Sequence, residues 1–170
     1  MSDAASPLDM NDRKTRLKVK MTEARQELIE VFNSITPENM NLPTANEGWS
    51  AYDVACHIAG AESGMEVIAQ RTLVGQPSMV EGFDIHRFNS GGIRKRKERA
   101  IPELIAELDQ SRARMFALLE STTDEQLSLP VEHPTVGKID LYGLFVVIYR
   151  HELQHANEIK EAIQGIGVGG

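Results

Sequence analysis

The 170-residue chain is short of several things, and each shortage excludes something. Its only cysteine is Cys56, so no intrachain disulfide can form; a reducing, intracellular compartment is expected. No stretch nears the roughly 20 apolar residues of a membrane span. The longest near-apolar run, Leu141 to Tyr149, is interrupted by Gly143. Met1 to Met10 lacks the basic-then-apolar order of a signal peptide; with the lone cysteine, this leads us to expect a cytoplasmic protein and no membrane partner. Basic excess is also missing: 18 Lys and Arg stand against 25 Asp and Glu, a formal net charge of -7. With aromatics at only 5%, there are few platforms for stacking bases, and no nucleic-acid partner is expected. Alternating segments of strand length flanked by hairpin signals are absent as well.

What is there is helical periodicity. Leu17, Met21, Ala24, Leu28, Val31 and Ile35 recur at steps of three and four, predicting a helix from about Asp12 to Ser34 behind a flexible tail, residues 1–10. Thr36-Pro37 reads as a further helix start. Ser50 and Asp53 form an acidic variant of the capping box, with Trp49 able to staple onto Val54. The helix that follows carries Val54, Ile58, Ala61, Met65 and Ile68 on one face and ends near Gly75. Residues 83–100 are ambiguous: Phe83 to Asn89 can be helical, and Gly91-Gly92 reads as a break. Pro102 opens a helix bearing Leu104, Ile105, Leu108, Met115, Leu118 and Leu119. Residues 121–138 read as loop with one helical turn after Thr123, and a last helix runs from about Asp140 to Gln164. Four long amphipathic helices in one domain, 1–170, predict an all-α, up-down-up-down four-helix bundle.

An internal repeat accompanies them. Ser34 to Pro43 and Ser121 to Pro130 share five of ten residues at an offset of 87. Leu28, Ile29, Val31 and Phe32 align at the same offset with Met115, Phe116, Leu118 and Leu119. Two helix hairpins about a pseudo-twofold axis are expected.

Three of the five histidines fall on buried stripes. In the last helix the seam reads Leu141, Leu144, Ile148, His151, His155, Ile159, so both imidazoles lie one above the other on the core face. His57 continues the apolar stripe of the second helix. Three inward imidazoles suit a first-row divalent ion, with zinc or nickel expected foremost, and leave a position open for water or substrate. His133, in a polar loop before Pro134, and His86, at most a weak fourth ligand, are read as structural. His151-Glu152-Leu153-Gln154-His155 also fits the H-E-x-x-H pattern of zinc proteases. Too little chain follows for the usual downstream ligand, however, and no sheet edge is evident to hold a peptide, so Glu152 reads as solvated or as backing the ligands. Cys56 reads as packing and Glu62 as a surface residue. Arg112 faces either inward toward an anion or outward. The basic run Arg94 to Arg99 reads as a solvated helix end or an oligomer contact.

Gly48-Trp49-Ser50-Ala51-Tyr52-Asp53-Val54-Ala55-Cys56-His57-Ile58-Ala59-Gly60, the late His151-x-x-x-His155 pair and Phe88-Asn89 before the basic run together resemble the DinB/YfiT-like superfamily over nearly the whole chain. The resemblance implies a four-helix bundle, often a homodimer, with a divalent metal on His57, His151 and His155. It also implies thiol-dependent transferase or isomerase chemistry of the kind seen in mycothiol-dependent maleylpyruvate isomerase and bacillithiol S-transferase. The isomerase's additional C-terminal domain has no counterpart in these 170 residues, so that particular reaction is not the one expected. The expectation is a metal-dependent transferase that activates a low-molecular-weight thiol co-substrate toward a small electrophilic substrate. Two readings stay beside it: a metal-dependent hydrolase that needs no thiol, and a non-catalytic binding or stress-resistance protein. Walls of the pocket are expected from residues 76–100 and 128–138.

Overall fold

The computed structural model describes residues 12–165; the expected tail at residues 1–10 lies outside them. Five helices follow in order: α1 (Arg13–Asn33), α2 (Ala51–Leu73), α3 (Ile85–Arg96), α4 (Ile101–Ser121) and α5 (Leu141–Gln164). A short 3-10 turn (Gln126–Ser128) and an antiparallel pair, β1 (Pro130–His133) and β2 (Gly137–Asp140), precede α5.

Local chemistry accounts for the boundaries. The Asp12, Ser50, Asp84 and Asp140 side chains accept backbone N–H groups at the starts of α1, α2, α3 and α5. At Ser50 the capping box is reciprocal, since Asp53 also takes the Ser50 N–H. Gly165, at φ 71°, ends α5 in the left-handed region where a Cβ would be strained.

Three expectations are corrected. Thr36-Pro37 opens only a turn: Asn39 Oδ1 takes the Thr36 N–H, and Asn39 Nδ2 donates back to the Ser34 carbonyl, closing the chain on itself before a helix can propagate. Gly91-Gly92 does not break α3, which is capped at Asp84 and anchored on α2 by buried Ile93 and Arg96. Residues 130–140 form two strands where a loop is expected; each is only four residues long and only β1 buries alternate positions, Val131 and His133, so the pattern leaves little sequence signal.

The four long helices form the expected all-α bundle, with α1 touching α4 and α5, and α2 touching the same two. Lys14 reaches Glu120 and Arg25 the Leu108 carbonyl, so α1 and α4 are antiparallel. Arg16 meets Tyr142 and Arg25 meets Glu152, so α1 and α5 are parallel. Glu62 meets Arg112 and Glu66 meets Arg114, so α2 and α4 are parallel. Helix α3 runs back along α2, with Phe88 against Gly64 and Arg96 against Gly60. Direction thus alternates through all five helices. Because α3 supplies one traverse outside the bundle, the four long helices read up, down, down, up rather than in strict alternation.

This arrangement fits a pseudo-twofold that exchanges α1 with α4 and α2 with α5. The Leu42 carbonyl accepts the Ala51 N–H and Pro43 bridges Ser50; in the second half the Leu129 carbonyl accepts the Leu141 N–H and Pro130 pairs with Asp140. The β1–β2 hairpin is therefore an enlarged version of the 43–50 loop. Within each half the two helices are not side by side as in a hairpin. They face across the bundle, so the halves interlock.

At the centre, Arg25 and Arg112, equivalent at the offset of 87, grip Glu62 and Glu152, equivalent at 90. All four are buried. The network joins all four bundle helices and balances two charges of each sign. Removing one partner of such a network leaves an uncompensated buried charge, at a cost of about 3–5 kcal/mol. Glu62→Ala should lower the unfolding free energy in urea by about that amount; a loss below about 1 kcal/mol would show that the network does not hold the bundle.

Candidate metal centre

Capping sets the register of α2, and that register turns His57 inward. The seam of α5 does the same for His151 and His155. Their Nε2 atoms converge: His57 to His151 is 3.3 Å and His155 to His151 is 2.9 Å. These are the separations that imidazoles take around a first-row ion with metal–nitrogen bonds of about 2.0–2.1 Å. His57 and His155 are buried and His151 is half-buried.

The lone pairs point the same way. Glu158 Oε2 lies 2.8 Å from His155 Nδ1. A carboxylate only accepts, so Nδ1 carries the proton of this bond and Nε2 is the nitrogen turned toward the other two rings. Burial, then the neighbouring His155, lowers His57 to about 4. Burial, then His155 and His57, lowers His151 to about 2. Both rings are therefore neutral at pH 7. His151 Nε2 faces the Nε2 atoms of both other rings, and with at most one proton on that nitrogen it cannot serve both contacts equally. A divalent cation satisfies all three nitrogens at once, so the donor set fits the metal.

Other parts back the ligands. The Trp49 ring is tilted against His57, with centroids 5.0 Å apart. Glu158 also accepts from Asn46 Nδ2 at 2.7 Å and from Gln154 Nε2 at 3.2 Å. Burial opposes its charge, yet His155, Gln154 and Asn46 hold its carboxyl below the usual range. Glu158 escaped the sequence reading; the available signal was its position one turn beyond a candidate ligand.

Next to His151, a narrow cleft is lined by Ile58, Ala61, Met65, Ile148, Glu62 and Glu152. Glu62 is therefore no surface residue: 3% exposed, it takes hydrogen bonds from Arg25, Arg112 and Ser111. Arg112 does point inward, but toward these carboxylates. Glu152 is not solvated either. Its Oε1 accepts from both arginines while Oε2 accepts no hydrogen bond. Burial pushes its carboxyl up against the pull of Arg112 and Arg25.

The remaining candidates fall elsewhere. Cys56 is fully buried with its thiol raised to about 11 by burial, consistent with packing. His86 is exposed and outside the cluster. His133 is not in a loop: it ends β1, is buried, and its Nδ1 accepts the Thr135 and Val136 N–H groups. Of the basic run, Arg96 and Arg99 pair with Glu107, and Arg94, Lys95 and Lys97 face solvent. No helix among the described residues is long and apolar enough to cross a membrane.

The chain belongs to the DinB superfamily, whose family model matches residues 20–159. No curated protein matches it in sequence. Solved structures share the fold at low identity. YfiT from Bacillus subtilis, described as a probable metal-dependent hydrolase with an unusual four-helix bundle topology, is 19% identical at a TM-score of 0.71, with 98% of this chain and 94% of that one covered. The mycothiol-dependent maleylpyruvate isomerase is 14% identical at a TM-score of 0.68; the match covers 84% of this chain but only 60% of the isomerase. The colibactin self-resistance protein ClbS, solved in complex with a dsDNA, is 15% identical at a TM-score of 0.67, with 87% and 94% covered.

The depressed histidines carry a pH signature. Between their unfolded value near 6.5 and their folded values, the unfolded chain binds more protons, so stability falls as pH falls. Metal-free protein should lose on the order of 3 kcal/mol from His57 alone between pH 6.5 and 4, at about 1.4 kcal/mol per pH unit. Urea unfolding of wild type and His57→Phe across this range checks it; identical pH slopes would contradict the assignment.

Proposed function

We propose that His57, His151 and His155 hold a divalent ion, zinc or nickel foremost, and that the protein is a metal-dependent transferase joining a low-molecular-weight thiol to a small electrophile. The observation that carries this reading is the convergence of three imidazole Nε2 atoms from two helices on one point. An ion bound there lowers the pKa of a thiol or water that ligates it. The chain's own residues supply the rest. Three protein ligands leave a coordination position open, the pattern of catalytic rather than structural sites. Trp49 shields one side of His57, and Glu158 fixes the His155 ring. With the Cys56 thiol buried and raised, the nucleophile is expected from outside the protein.

Segments 79–85 and 132–137 face each other across an open cavity of about 520 Å³ walled by Met79, Phe83, Ile85 and Pro134, with His133 at its edge. That volume suits a small molecule, but none of the three metal-ligand histidines lines it. A thiol co-substrate fits a reducing, cytoplasmic setting. We read the protein as a homodimer that takes no nucleic acid: the net charge is -7 and two cations of the basic run are spent on Glu107.

A second reading, metal-dependent hydrolysis, is favoured by the description of YfiT. The two separate in one assay. Metal-loaded protein should turn over a fluorogenic electrophile only when a thiol such as cysteine or coenzyme A is supplied, and His57→Ala should be slower by at least about a hundredfold. Turnover without thiol would favour hydrolysis. Equal rates in wild type and His57→Ala would remove the site from the activity. Stoichiometric capture without turnover would leave a binding protein.

A further inference from the structure

We propose that Asn46, Trp49 and Glu158 form an outer clamp that sets the affinity of the metal centre and couples the 43–50 loop to its occupancy. The inference rests on the metal reading above and adds to it the residues that hold the ligands in place.

The clamp touches two of the three imidazoles from a single loop. Asn46 donates to Glu158 Oε2, which holds His155 Nδ1. Three residues on, the Trp49 ring packs against His57 on the other helix. The loop between them is closed by its own hydrogen bonds. Thr44 donates to the Trp49 carbonyl from both N–H and Oγ1, Trp49 N–H donates to the Asn46 carbonyl, and Pro43 bridges Ser50. A shift at Asn46 is therefore transmitted to Trp49. Every polar atom of the Glu158 carboxylate is engaged, Oε2 by His155 and Asn46 and Oε1 by Gln154. Carboxylates placed this way fix the tautomer and orientation of a metal-binding histidine and raise its basicity.

The pseudo-twofold is an internal control. At the offset of 90 that relates α2 and α5, Ile68 stands where Glu158 does, Met65 where His155 does and Ile139 where Trp49 does. The other half has a comparable loop and closure but, at these equivalent positions, no carboxylate and no aromatic ring. The bundle folds around apolar residues at those places, so nothing in its architecture demands Glu158 or Trp49. Their presence follows the histidines.

Trp49 is the chain's only tryptophan, and its contact with His57 makes it a reporter: nickel or cobalt at the centre should quench its fluorescence. Zinc affinity of wild type, Glu158→Gln, Asn46→Ala and the double variant would be measured by competition against a chromophoric chelator, with nickel quenching as a second readout and circular dichroism to confirm folding. Asn157→Ala, on the exposed face of α5, serves as control. Glu158→Gln should weaken zinc binding about ten- to a hundredfold. Asn46→Ala should weaken it less and add little in the double variant, because both act through His155. Hydrogen exchange at Trp49 N–H should slow when metal is bound. If wild type takes up metal and Glu158→Gln binds within twofold of it, the clamp is overturned while the metal centre stands. If folded wild type takes up no metal, the metal reading falls and the clamp with it.

Discussion

Two buried arginines and two buried glutamates hold the bundle at one level. Arg25 on α1 and Arg112 on α4 each reach Glu62 on α2 and Glu152 on α5. Placing four charges in a core is costly. The cost is tolerable only because the signs balance and the geometry supplies several charge-assisted hydrogen bonds. Such a network tolerates little rotation of any helix about its axis. Glu152 immediately follows His151, so the rotation that satisfies the arginines also directs His151 and His155 toward His57. The charge network thereby sets the position from which the metal site is built.

The pseudo-twofold shows what the site added to a symmetric scaffold. Arginine matches arginine and glutamate matches glutamate across the axis. The three histidines have no such partners: their equivalents are Val147 for His57, Ala61 for His151 and Met65 for His155. One end of the α2–α5 seam is thus apolar and the other carries imidazoles. The enlarged hairpin lies at the apolar end, where it helps wall the open cavity. The compact 43–50 loop lies at the histidine end, against the ligands. Similar halves serve different purposes through a few side chains and three extra residues between Pro130 and Asp140.

Much of this was legible in the residues. Periodicity and caps located α1, α2, α4 and α5 closely, because apolar stripes and capping residues act locally. The repeat was visible because Leu42-Pro43 and Leu129-Pro130 serve the same closure. The three histidines stood out because they continue apolar seams. Glu62 and Glu152 were misjudged for a physical reason: charged residues ordinarily face water, and only knowledge of which arginine lies opposite reveals a balanced buried network. The chain contains such pairs in sequence, but their partners are 37 to 127 residues away. Glu158 was hidden likewise, since its role depends on Asn46, 112 residues distant. The helix through Gly91-Gly92 was misread because the cost of glycine in a helix, about 1 kcal/mol each, is local, whereas the packing of Ile93 and Arg96 that offsets it is not.

The most direct test of the account is elemental analysis of untagged protein purified without chelator, wild type beside His151→Ala/His155→Ala, with both confirmed as folded. The account predicts about one zinc, nickel or similar ion per wild-type chain and essentially none in the variant. Equal metal content in the two, or no uptake by folded wild type when the ions are offered, would contradict it.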